Sequence, residues 1–361
     1  MTTGSSKVSR AQRSQKASRR ITINDIAKRA GVSKTAVSFA FNVPGRLSEK
    51  TTQHILQVAR EMGYTPNPIA RSLNTRRTNT LGVLLPQDIS IAMRNPFFAE
   101  LLSGIGEVCS AHGLSLLLVP PLRGSLVEAT YAALIDGCIV TGLEANDPAT
   151  HALRQRRIPF VMVDVEPEED IPAVRVDDAA GAYLAMKHVL ELGHHRIGIA
   201  SFVSFTGRLE EYTGTLRRRF NGYLRALHEH GLTLDNEHVR LVECSCNVEG
   251  GKLAFHQFWS SRQGITAIVA LSDVIAYGVV QAASEQGVRI PQQLSVVGFD
   301  DLEFSRLLRP PLTTVRQPIR EKGRLAAEMF ARLYHNEPLE QHTLRLPVEL
   351  VVRQSCAPPQ S

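Results

Sequence analysis

Thr22-Ile-Asn-Asp-Ile-Ala-Lys-Arg-Ala-Gly-Val-Ser-Lys-Thr-Ala-Val-Ser-Phe-Ala-Phe-Asn-Val-Pro-Gly-Arg-Leu-Ser-Glu-Lys50 holds two short helical patterns that meet at one tight turn, Ala30-Gly31-Val32. Thr22 is placed to cap the first, with Asp25 three residues on as a weaker form of the capping box. Ile26, Ala27 and Ala30 share one face. Gly31 follows the last turn, where a left-handed backbone costs a glycine little. Ser33 caps the second pattern, and Val37 with Ala40 or Phe41 faces the first. Small residues at Ala27, Ala30, Ala36 and Ala40 let the two helices cross closely. Ser48 then caps a third helix, from about Glu49 to Met62, with Ile55, Val58 or Ala59, and Met62 inward. This is the spacing of a helix-turn-helix, and it makes double-stranded DNA the first candidate partner.

Charge divides the chain at the same place. Residues 1–79 carry fifteen Lys/Arg against three Asp/Glu, a net +12, whereas the remainder carries 26 against 32, a net −6. The overall +6 therefore describes a basic head on an acidic body. Such a head attracts phosphate through counterion release, with a steep salt dependence. No apolar run reaches the ~18 residues of a membrane span, so no membrane partner is expected. Residues 1–20 are rich in Ser, Thr, Gln, Lys and Arg, and read as a disordered basic tail. They lack the apolar stretch of a secretory leader, which points to the cytoplasm. Five scattered cysteines suit free thiols in a reducing compartment. Cys244 and Cys246, one residue apart in an expected strand, would share a face but lack two further metal ligands. His188, His194 and His195 read as surface or structural residues.

From Leu81 the pattern changes. Ten short apolar runs, from Leu81–Leu85 to Thr313–Val315, alternate with seven helical periods, from Pro96–His112 to Ile319–His335. Near-continuous Val/Ile/Leu strands followed by amphipathic helices predict parallel sheets covered on both faces. About 280 residues is long for one such sheet, so two α/β lobes are expected. Ligands of open α/β sheets bind beyond the carboxyl ends of the strands. The polar residues there are Gln87-Asp88, Thr141, Asp164, Asp177-Asp178, Ser272-Asp273 and Asp300-Asp301. Each alone reads as a cap or turn; together they would ring a cleft.

The segment Thr22–Leu73, ending in Met62-Gly-Tyr-Thr-Pro-Asn-Pro-Ile-Ala-Arg-Ser-Leu73, resembles the LacI/GalR family of bacterial transcription regulators. The body carries similar landmarks: Asn95-Pro-Phe-Phe98, Leu192-Gly-His-His-Arg-Ile-Gly198, Ser272-Asp-Val-Ile-Ala-Tyr-Gly278, Val297-Gly-Phe-Asp-Asp301 and Pro310-Pro-Leu-Thr-Thr-Val315. The resemblance covers about residues 21–353. It implies an all-α helix-turn-helix head and an α/β, periplasmic-binding-protein-like body of two parallel-sheet lobes. It also implies a homodimer on a near-palindromic operator, with no cofactor and no metal. The expected organisation is a tail (1–20), a DNA-binding domain (21–65), a hinge helix and linker (66–79) and the effector-binding and dimerisation body (80–353), then a C-terminal tail (354–361). Lobe 1 is expected over about 80–193 and 312–342, and lobe 2 over 194–311 and 343–353.

Carried onto this sequence, the resemblance places recognition-helix positions at Lys34, Thr35 and Phe39, Ser33 and Ser38 as phosphate-side contacts or caps, and Thr22 and Asn42 among the DNA-binding residues. Lys34 suits guanine O6/N7 or a phosphate, and Thr35 a base edge or a thymine methyl. Phe39 stands where Arg or His is common, so a known operator cannot be transferred. The hinge brings Asn67, Ala70, Arg71, Leu73 and Asn74 to DNA, with Leu73 as the minor-groove wedge. Pro68 suits a first helical turn, but so short a helix is marginal alone and is expected to form only when a second copy and DNA are present. The effector site is expected at Arg219, Asp300, Ser272, Asp273, Cys246, Phe97 and Asp177, with Asp273 read either as a ligand contact or as the N-terminal anchor of its helix. An arginine and an aspartate facing one cleft suit a sugar-like small molecule, and a purine almost as well. Cys246 replaces an aromatic stacking platform common in the family.

Other classes fit less well. Gly104-Ile-Gly106 lies inside an expected helix and lacks the third glycine of a phosphate loop, and there is no nucleophile elbow, zinc helix or paired catalytic carboxylate at useful spacing. The alternatives are a regulator controlled by a protein partner, or a small-molecule-binding protein or enzyme of the cleft in which DNA binding is secondary.

Overall fold

The structure, a computed structural model, describes residues 21–43, 45–166, 171–204, 209, 212–234, 237–261 and 264–360. The expected tail over 1–20 lies outside the described residues, as do the side chains of Pro68, Ala70 and Asn74. The chain divides into two compact units, Met1–Thr78 and Asn79–Ser361.

The first unit contains α1 (Ile23–Ala30), α2 (Lys34–Asn42), α3 (Glu49–Glu61) and α4 (Pro68–Thr75). The Asp25 carboxylate accepts from the Thr22 amide at 2.9 Å and from its hydroxyl at 2.7 Å. Gly31 ends α1 at φ 65° in the left-handed region. Ser33 and Ser48 accept from Ala36 N and Thr51 N, capping α2 and α3. Ile26, Ala27, Ala30, Val37, Ile55, Val58 and Ala59 form the core of this unit. In α4, Asn67 Oδ1 accepts from Ile69 N at 3.0 Å, one residue past Pro68. The segment is helical here in a single chain, because its capping signals already encode a helix start.

The second unit comprises β1 (Thr80–Leu84), α5 (Ile89–Ala92), α6 (Pro96–His112), β2 (Ser115–Val119), α7 (Leu126–Ala132), β3 (Gly137–Thr141), α8 (Pro148–Gln155), β4 (Phe160–Val163) and β5 (Ala173–Val176). Next come α9 (Asp178–Glu191), β6 (Ile197–Phe202), α10 (Gly214–Glu229), β7 (Val239–Cys244), α11 (Val248–Ser260), β8 (Ala267–Ala270), α12 (Asp273–Glu285) and β9 (Ser295–Asp300). A 3₁₀ turn (Glu303–Arg306), β10 (Thr313–Arg316), α13 (Ile319–Tyr334), β11 (Thr343–Leu346) and β12 (Glu349–Val351) complete it. Two six-stranded sheets result, ordered β11-β5-β4-β3-β1-β2 and β12-β10-β9-β8-β6-β7. Each described pairing is parallel except β10 with β12. Among the described residues no helix is long and apolar enough to cross a membrane.

Lobe membership departs from the sequence reading at three elements. α9, expected in lobe 1, buries Ala182, Ala185, Met186 and Val189 in the core of the second lobe with Phe220 and Phe299. β10 pairs with β9 of the second sheet, and β11 joins the first sheet beside β5. The chain thus crosses between lobes at Asp177, at Gln317-Pro318 and between Leu346 and Glu349. Apolar periodicity marks what each element buries but carries no address for the sheet it covers.

Gly104 has a packing role. A Cβ there would meet Arg320 O at 1.9 Å, and one at Gly323 would meet Leu101 O at 2.2 Å. The backbones of α6 and α13 therefore touch at two glycines, which fixes α13 across the first sheet and carries its N-terminal turn to the cleft.

Candidate effector cleft and nucleic-acid interface

In both sheets the strand order reverses at a central strand, β1 in one and β6 in the other. The loops leaving these strands and their neighbours diverge there, and the crevice between them is where such sheets hold ligands. A cavity of about 460 Å³ opens at that place. The first lobe contributes Gln87, Asn95, Phe97, Thr141, Glu144 and Asp164; the second contributes Phe202, Ser204, Tyr212, Arg219, Cys246, Ser272 and Asp300.

Five of the expected effector residues meet on this wall: Arg219, Asp300, Ser272, Cys246 and Phe97. Arg219 comes from α10 and is buried, its Nε 2.9 Å from Asp178 Oδ1 and its Nη2 4.0 Å from Asp300 Oδ1. Its Nη1 donates to Leu271 O, and its guanidinium lies 3.6 Å from the centre of the Phe299 ring. Asp300 closes β9 at φ 129°, a conformation costing an L-residue about 1–3 kcal/mol. Burial pushes its carboxyl above the ordinary range, against the pull of Arg219. Ser272 caps α12 through Ile275 N. Cys246 Sγ lies 3.5 Å from Ser272 Oγ and 3.6 Å from Asn95 Nδ2, and burial raises its thiol to about 11, so it is a neutral thiol on the wall. β7 ends at Cys244, so Cys246 sits in the loop beyond it; the expectation that both occupy one strand is corrected.

Two expected residues stand elsewhere. Asp177 caps α9 by accepting from Ala180 N at 3.0 Å, and its other oxygen pairs with Arg345 of β11. Its place in the crossing commits it to both neighbours and takes it off the wall. Asp273 is fully buried and accepts from Leu302 N, Ser305 Oγ and Thr314 Oγ1. It anchors the turn after β9 to α12. Burial raises its carboxyl, and the three hydrogen bonds pull it back.

The sequence reading did not single out Glu144, Gln317 or Lys322. Asp164 it noted only as a strand-end acid. Lys322 is fully buried, and its Nζ lies 2.6 Å from both Asp164 Oδ2 and Gln317 Oε1. Gln317 Nε2 in turn donates to Asp300 Oδ1 at 2.6 Å. A signal existed: Lys322 falls on the same stripe as Ile319, Ala326, Ala327 and Phe330, where a charge implies a buried partner. Among the described residues no group of three His, Cys, Asp or Glu is placed to hold a metal ion.

In the head, Lys34 and Thr35 are exposed on the first turn of α2. Ser38, Phe39 and Asn42 are half-buried; Asn42 Nδ2 donates to Ser38 O, and Arg46 lies 5.6 Å from the centre of the Phe39 ring. Thr22 and Ser33 are occupied as caps. In α4, Arg71 is exposed and Leu73 is 75% exposed beside Ile69 at 71%. Two large apolar side chains left in solvent on an eight-residue helix are a surface awaiting cover. Ala70 and Asn74, also expected at DNA, have side chains outside the described residues.

Comparison with known proteins accords with this geometry. The family of bacterial regulatory proteins named for lacI matches residues 22–67, and a periplasmic binding protein-like domain matches residues 186–356. The chain is 35% identical to the HTH-type transcriptional regulator DegA of Bacillus subtilis, covering 93% of this chain and 98% of that protein. It is 33% identical to the ribose operon repressor of Haemophilus influenzae, covering 92% and 98%. A LacI family transcriptional regulator from Enterococcus faecium, solved with bound ribose, is 30% identical with a TM-score of 0.67, covering 78% of this chain and 100% of that one.

Proposed function

This chain belongs to the lacI family of bacterial regulatory proteins and is a DNA-binding regulator of transcription; from that premise we propose that it is a cytoplasmic homodimeric repressor, not an enzyme, that reads a near-palindromic operator and answers to a sugar-like effector. The observation that carries the reading is the cavity at the two switch points. Its walls come from the carboxyl ends of both sheets, so an occupant bridges the lobes. Arg219, Asp300, Ser272 and Asn95 offer it fixed donors and acceptors, and Phe97 an apolar face. The ribose bound by the Enterococcus relative supports a sugar.

The mechanism follows from differential affinity. A ligand that bonds both walls favours one lobe angle, and only that preference shifts the equilibrium. In a dimer the lobe angle sets the separation of the two hinge helices. Paired, they present Leu73 to the minor groove; separated, they release it. The helix-turn-helix supplies the base contacts through Lys34, Thr35 and Phe39.

A gel shift on promoter DNA beside the protein's own gene tests this. A sequence-selective shift is expected, its affinity falling on the order of 10³-fold between about 50 and 200 mM salt. Absence of any selective shift, with or without candidate sugars, would sink the reading. Leu73→Ala is expected to weaken operator binding roughly tenfold or more and to reduce DNA bending, since the wedge opens a base step. Its exposure makes the change neutral for folding. Unchanged bending in a circular-permutation assay would remove Leu73 from the interface.

A further inference from the structure

The cleft is rich in acceptors. Among the described residues its wall carries three carboxylates, Glu144, Asp164 and Asp300, against one guanidinium, Arg219. That guanidinium is already matched: Asp178 bonds it, Asp300 lies beside it, and Leu271 O takes a further hydrogen. Asp178 is shared with Arg218. Asp164 Oδ1 is buried with no protein partner. Lys322 neutralises the opposite oxygen of the same carboxylate, and through Gln317 its bond reaches Asp300 on the other lobe. Its ammonium also lies 5.1 Å from the centre of the Phe97 ring.

We propose that Lys322 is the positioning residue of the cleft: it aligns the carboxylates of Asp164 and Asp300, one from each lobe, as hydrogen-bond acceptors, and thereby selects an uncharged, hydroxyl-rich ligand against its phosphorylated or carboxylated counterpart. The inference rests on the effector reading above. A neutral polyol donates to both carboxylates. An added phosphate meets three acids on the wall, and the one guanidinium there already has its charge matched by Asp178 and Asp300, so the phosphate enters with a largely uncompensated charge.

The electrostatic half of the proposal is measurable without a ligand. Lys322→Met keeps length and apolar volume but removes the charge. The groups facing Lys322 and Asp300 are Asp164, Gln317, Arg219, Asp178, Asp273, Cys246 and Tyr223. Asp300 is held above its unfolded value, so its ionisation opposes folding as pH rises, and Lys322 limits that loss. The gap in melting temperature between wild type and Lys322→Met is expected to widen by about 4 °C or more from about pH 5.5 to about pH 8.5. A residue with only a packing role gives the same gap at both. Lys322→Arg should restore the flatter profile.

The selective half is read by calorimetry with D-ribose, D-glucose and their monophosphates. A neutral sugar is expected to bind at least about 100-fold more tightly than its phosphate, and Lys322→Met to weaken it at least about tenfold. A phosphate ester binding as tightly as the sugar overturns the selectivity. Sugar binding retained by Lys322→Met, or a pH-independent gap, overturns the role of Lys322. If no panel member binds wild-type protein, the sugar reading of the cleft fails, and the pH profiles decide Lys322 on their own.

Discussion

Arg219→Met is expected to abolish the response of operator binding to ligand and to lower the unfolding free energy by about 3 kcal/mol. Both effects have one origin. Arg219 is 5% exposed and its partner Asp178 is fully buried, so removing the guanidinium leaves a carboxylate short of one bond in a low-dielectric interior. Arg218 continues to hold the other oxygen of Asp178, which keeps the cost at the lower end for a broken buried pair. Asp300 simultaneously loses the nearest cation that favours its ionised form. Urea denaturation measures the first effect; gel shifts with a sugar titrated in measure the second. DNA binding at saturating protein should persist, because the helix-turn-helix unit has its own core. A variant that still responds at wild-type ligand concentrations would show that Arg219 is a strut between α9 and α10 and not a sensor.

Asp273→Ala is expected to be the most damaging single change in the body, costing about 3–5 kcal/mol. It strands one buried amide and two buried hydroxyls at once: Leu302 N, Ser305 Oγ and Thr314 Oγ1. These three lie on the turn that follows Asp300 and on β10, so the turn carrying the cleft's own carboxylate loses its tether. Asp273→Asn keeps the shape and is expected to cost less. The sign of its pH dependence follows from the raised folded-state value of Asp273. Ionisation of the wild-type carboxyl opposes folding as pH rises, so the deficit of the Asn variant should shrink from about pH 5 to about pH 8. Equal melting temperatures for Asp273→Ala and wild type would show that the turn is held by other contacts.

Much of the site was legible for local reasons. Ser272 announces itself as a cap at a strand end, and the same feature faces the cleft. Asp300 follows the apolar run that becomes β9. Asp177 and Asp273 carry the same local signature, an acid after a strand and before a helix, yet both leave the wall. What separates them from Asp300 is their partners. Arg345 reaches Asp177 from β11, and Asp273 draws donors from residues 29 to 41 positions away. Lys322 is the converse case: its stripe position marked it as buried, but Asp164, its counter-ion, lies 158 residues earlier.

The sequence by itself determined the helix-turn-helix, its caps and left-handed Gly31, the alternation of strands and helices, and the resemblance that brought Arg219, Asp300, Ser272, Cys246 and Phe97 together. These depend on hydrogen bonds and periodicities that close within a few residues, or on motifs read as units. Only the tertiary structure decided that α9 and β10 belong to the second lobe and β11 to the first, that Asp177 and Asp273 hold the frame, and that a buried lysine links the acids of both walls. Those choices rest on charges and acceptors meeting across long stretches of chain, where burial makes an unpaired group costly and the fold alone supplies the partner.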